Sequence, residues 1–86
     1  MTIATVKNVI KAVTPLITEK HGLEWLEFTL SLEDGKKGYY KCEVFISAYE
    51  MGLRSGVIYL AEETNESDLV KAFDLFVEGM TKGVRV

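Results

Sequence analysis

The chain has 86 residues, of which 48% are hydrophobic and 27% charged, and a net charge of −3. That length holds one domain, residues 1–86, and the balance is that of a packed globule rather than a disordered chain. No apolar run approaches the ~20 residues of a membrane span, and a single cysteine excludes an intrachain disulfide.

Ile3, Val6, Ile10, Val13 and Ile17 recur at helical spacing, with Val9 and Leu16 flanking them. The spacing predicts an amphipathic helix to about Lys20, closed by Lys20-His21-Gly22. Pro15 interrupts it; the apolar phase continues beyond, so a kink is favoured over a second helix capped by Thr14. In residues 23–32 the period is two. Leu26, Phe28, Leu30 and Leu32 point inward, Trp25, Glu27, Thr29 and Ser31 outward, as in a half-buried strand.

Asp34-Gly35-Lys36-Lys37-Gly38 is a turn with two glycines. A second strand follows, with Tyr40, Cys42, Val44, Ile46 and Ala48 inward and Tyr39, Lys41, Glu43, Phe45, Ser47 and Tyr49 outward. Residues 50–56 read as a loop, or as a turn with a ragged strand start. Val57 to Ala61 is a short third strand, apolar on both faces.

Glu62 to Lys82 is the clearest element. Leu69, Phe73, Phe76 and Met80 form one stripe, with Val70 and Val77 beside it; Lys71, Asp74 and Glu78 fall on the wet side. Asn65 is the expected N-cap, Glu66 and Asp68 suit the positive helix start, and Gly83 suits the stop. The order α-β-β-β-α with short connections implies an antiparallel meander carrying two helices on one face, a two-layer α+β domain.

The residues argue against catalysis. There is no phosphate-binding glycine loop, no nucleophile elbow and no paired metal-ligand motif. One cysteine and one histidine cannot build the usual zinc site. His21 is expected partly exposed at a helix end, and Cys42 falls on an inward strand face, where a thiol is a small hydrophobe. No cofactor and no metal is expected. Lys7 and Lys11 interrupt any leader-like apolar run, so the expected compartment is the cytosol, with no membrane partner.

Two surface features carry the binding expectation. Residues 1–43 hold six basic and six acidic groups, whereas residues 44–86 hold four and seven. Within that acidic half, Glu62, Glu63, Glu66 and Asp68 stand together without a basic group. Such an array suits helix-start electrostatics, and it also suits entry into a basic groove on a partner. The second feature is the outward sheet face, where Trp25, Tyr39, Phe45 and Tyr49, with Tyr59, gather around Lys41, Glu27 and Glu43. Aromatics on a wet face either brace the sheet by cross-strand pairing or mark an interface, and a homodimer is one form of the latter.

The element order is similar to that of double-stranded-RNA-binding domains, which place basic residues at the start of the second helix. Here that place reads Asn65-Glu66-Ser67-Asp68, which repels phosphate, and Lys36 and Lys37 are too few to reverse it. Direct nucleic-acid binding is therefore not expected. The run Tyr59-Leu60-Ala61-Glu62-Glu63-Thr64-Asn65-Glu66-Ser67, with Val70, Lys71, Phe73, Phe76 and Gly79 after it, resembles the third strand and following helix of small phage anti-CRISPR proteins of type II-A. Those inhibitors share the helix–three-strand–helix order and act as nucleic-acid mimics that block the DNA-entry groove of the CRISPR nuclease. The resemblance implies a phage-encoded inhibitor in the host cytosol, a CRISPR effector nuclease as partner, and Glu62, Glu63, Glu66 and Asp68 as the mimic carboxylates. Without it, the alternative is an assembly module that self-associates through Trp25, Phe45 and Tyr49.

Overall fold

The structure, a computed structural model, describes residues 2–31 and 38–82. The inward Leu32, the turn residues 34–37 with their two lysines, and the helix stop at Gly83 lie outside the described residues. The element order is helix α1 (Ile3–Lys20), strands β1 (Trp25–Ser31), β2 (Tyr39–Ala48) and β3 (Gly52–Ala61), then helix α2 (Glu66–Lys82). The strands form one antiparallel sheet in the order β1-β2-β3, with both helices on one face. The domain is the α+β sandwich of helices on a meander that the pattern implies.

α1 begins at Thr2, whose hydroxyl accepts from the Thr5 N–H at 3.2 Å. A threonine just ahead of the first apolar residue is an N-cap signal. Pro15 sits inside a continuous helix. It leaves the Lys11 carbonyl without its usual donor, while the Thr14 hydroxyl donates to the Ile10 carbonyl at 2.6 Å instead of capping a new helix. At the C-terminus the Gly22 N–H reaches the Glu19 carbonyl and the Leu23 N–H the Thr18 carbonyl, with Gly22 at φ 63°. That pair of bonds is the Schellman closure, and glycine meets its left-handed φ without steric cost.

Strand alternation holds across β1 and β2. Leu26, Phe28, Cys42, Val44 and Ile46 are buried, and Leu30, Tyr40 and Ala48 pack partly against them. Of the two readings of residues 50–56, a loop or a turn with a ragged strand start, the structure departs from the first and is nearer to the second. The connection is a short turn, closed by the Met51 N–H donating to the Ala48 carbonyl, and β3 runs ten residues from Gly52. Gly52, Ser55 and Gly56 are poor strand formers, but each pairs in register with β2, through Ala48, Phe45 and Val44. Ladder hydrogen bonds and a shared face outweigh intrinsic preference.

The core joins Val6, Val9, Val13 and Ile17 of α1 to Leu69, Phe73 and Val77 of α2 over the inner strand residues. Val9 is a core residue rather than a flank, while Leu16 is exposed. Val77 is fully buried and Val70 is not, so the α2 stripe is rotated slightly from the expected one. Phe28 and Phe73 meet with ring centroids 4.6 Å apart and planes tilted by 46°, an arrangement aromatic quadrupoles favour. No polar side chain is buried among the described residues.

Candidate interaction surface

The register fixes what the outer sheet face presents. Directly opposed residues in an antiparallel pair share a face. Across the three strands, Trp25 lines up with Ser47 and Leu53, and Glu27 with Phe45 and Ser55. Thr29 lines up with Glu43 and Val57, Ser31 with Lys41 and Tyr59, and Tyr39 with Ala61. No second layer covers this face among the described residues. Trp25, Tyr39 and Tyr59 are about half exposed (54%, 49% and 51%), Val57 is 41% and Leu53 72% exposed. The surface is apolar at both ends and along β3, with Glu27, Glu43 and Lys41 between.

Two expected members of this face stand differently. Phe45 is outward but only half-buried rather than exposed, because it lies on the central strand between Glu27 and Ser55. Tyr49 falls beyond the end of β2, in the turn, where alternation no longer applies. At 88% exposed it stands by an open depression lined also by His21, Leu23 and Met51. Leu53 and Val57 also belong to the face. Val57 lies in the expected third strand, apolar on both faces, whereas Leu53 falls before its expected start, where the alternation Leu53, Val57, Tyr59 was the available signal.

The carboxylates border one end of the same face. β3 ends at Ala61 opposite Tyr39, and the Glu62 N–H donates to the Gly38 carbonyl at 2.9 Å. Glu62 and Glu63 occupy the turn into α2, Glu66 and Asp68 its first turn, and all four are exposed. Asn65 is the N-cap: its Oδ1 accepts from the Asp68 N–H at 2.8 Å, and its Nδ2 donates to Asp68 Oδ2 at 3.1 Å. Asp68 thus serves the helix start as well as the array.

Asp74, Lys20, His21 and Cys42 have structural work. Asp74 was expected on the wet side and is half-buried instead, because α1 ends beside it. Lys20 Nζ lies 2.6 Å from its Oδ2 and His21 Nε2 2.9 Å from its Oδ1. The His21 ring, expected to be partly exposed, is only 11% exposed. The Lys20 bond, then the His21 bond, hold the Asp74 carboxyl below its usual range, and the same bond raises Lys20. Cys42 is fully buried, and burial, with the Glu43 charge second, pushes its thiol up to about 12. It is no thiolate at neutral pH. No cluster of three or more metal-ligating side chains occurs among the described residues, and no helix there is long and apolar enough to cross a membrane.

No known protein family, curated protein or solved structure matches the chain.

Proposed function

We propose that the chain is a non-enzymatic acidic binding protein that docks a protein partner on the open face of its sheet. The observation carrying this is the outward face, which no second layer covers among the described residues, with Trp25, Tyr39, Leu53, Val57 and Tyr59 exposed together on a three-stranded platform. Aromatic-rich faces with a polar rim suit protein interfaces. The array Glu62, Glu63, Glu66 and Asp68 at one end selects the partner: a basic surface, steered in by charge and seated by apolar contact.

A basic groove that ordinarily takes nucleic acid is the matching target, and a chain seated there acts as an inhibitor by occupying the place of the phosphates. The resemblance of residues 59–79 favours a CRISPR effector nuclease as the first target to test. Self-association through Trp25, Phe45 and Tyr49 is the competing reading, favoured only by the apolar character of the face.

The test is binding of the purified chain to a guide-loaded CRISPR nuclease, with duplex DNA as competitor and salt as variable. Binding that DNA displaces, that weakens with salt and that is lost when the four carboxylates become serine supports the proposal. Loss on Trp25→Ser adds the apolar seat. Absence of binding, or binding indifferent to both changes, removes the proposed partner class.

A further inference from the structure

β3 lies at the edge of the sheet, and its backbone is laid out for a further strand. Its register with β2 is unbroken from Gly52 to Ala61. Because the Glu62 N–H points at Gly38, even-numbered positions of β3 spend their backbone groups on β2. The odd-numbered ones, Leu53, Ser55, Val57, Tyr59 and Ala61, aim theirs away from β2, toward the edge that no strand covers among the described residues, as an antiparallel ladder requires. Ten residues is long for an edge. Proteins usually blunt such an edge with proline, charge or a bulge; β3 has no proline, its pairing with β2 has no bulge, and its charge is a single residue. Its one charged residue is Arg54, which forms no ion pair among the described residues. The opposite edge, β1, is seven residues long and carries Glu27.

We infer that two copies of the chain pair antiparallel through β3, centred on Ile58, to form one six-stranded sheet. Three features single out this register. Arg54 of each copy comes opposite Glu62 of the other, which places the strand's only cation beside an anion. Val57 of each copy comes opposite Tyr59 of the other, giving two β-branched–aromatic pairs on the open face. Ser55 and Ala61, both small, oppose each other at the ends. Centring the pair on Gly56 instead sets Arg54 against Ile58 and the two glycines against each other, losing both gains. In the Ile58-centred pair both helical layers lie on one side, and the two open faces join into a continuous surface. The inference goes beyond the proposed docking function: it uses the edge rather than the face, and leaves that face available.

Sedimentation equilibrium from micromolar to near-millimolar concentration, with amide hydrogen exchange on the unaltered chain, tests it. The expected result is a doubling of mass accompanied by slowed exchange at Val57 and Tyr59, in proportion to the dimer present. Val57→Pro removes an N–H that β2 does not use, so it should abolish the doubling while leaving the far-UV dichroism unchanged. Arg54→Glu should weaken the pair, and Arg54→Glu combined with Glu62→Arg should restore it. A chain that stays monomeric throughout, with fast exchange at both amides, overturns the inference. So does a dimer whose Val57 and Tyr59 amides remain unprotected but which splits on Phe45→Lys, since that is pairing through the open face.

Discussion

The two faces of one sheet are built from the same three strands and do opposite things. Leu26, Phe28, Cys42, Val44, Ile46 and Leu60 face the helices and are at most 8% exposed. Their immediate neighbours in sequence face away, and Trp25, Tyr39, Tyr59 and Leu53 are about half exposed or more. Both faces are rich in apolar side chains, so composition does not separate core from surface here. Parity does, because a one-residue step along a strand reverses the side. The inner face spends its apolar area on stability. The outer face keeps its own in reserve.

The sharpest way to break this contrast is at the centre of the inner layer. Phe73→Ala removes a fully buried ring packed against Phe28. It should cost about 3–5 kcal/mol in a denaturant titration, a large share of what so small a domain holds. A smaller effect is expected at Gly56, on β3. A Cβ there would meet the Phe76 ring at 3.0 Å and 3.2 Å. Gly56→Ala should therefore destabilise by about 1–3 kcal/mol through overpacking. Phe76→Leu in the same chain should relieve much of that loss, and strict additivity of the two changes would show that the close approach does not matter.

Next comes the tie between the helices. Asp74 titrates lower folded than unfolded, so its contribution is present above the unfolded value of about 3.9 and fades as pH falls through the lowered folded value. Melting curves of Asp74→Asn and the unaltered chain should differ at neutral pH and converge in acid. Parallel curves down to the lowest pH would mean the tie carries no stability. The smallest effect belongs to the outer face: Trp25→Ser should shift stability by no more than about 0.5 kcal/mol. A large loss there would make Trp25 a structural brace and weaken the docking proposal.

Elements with strong periodicity were legible in the sequence, and those set by partners were not. α2 could be read because its cap, its charges and its stripe agree, and β1 and β2 because alternation reports a half-buried face. The first half of β3 could not, since glycine, arginine and serine become a strand only when β2 lies alongside. The place of Asp74 was hidden for the same reason: on its own helix it looks like a solvated acid, and only the end of α1 turns it into an anchor. Of the candidate surface, Trp25, Tyr39 and the four carboxylates stood where alternation and capping put them. Leu53 was missed with the first half of β3, Val57 was placed in its strand but not on one face of it, and Tyr49 was assigned to a face that ends one residue before it.

The burial of Cys42 gives the protein a built-in reporter. It is the chain's sole sulfhydryl, sits at 0% exposure on the central strand and is held protonated by its surroundings. An alkylating reagent finds nothing to attack while the sheet and helices stay together. The rate of modification therefore reads how often the domain comes apart, in whatever mixture the protein is placed. A partner that clamps the fold would slow that clock without touching the sulfur, so occupancy of a distant surface could be timed from inside the core.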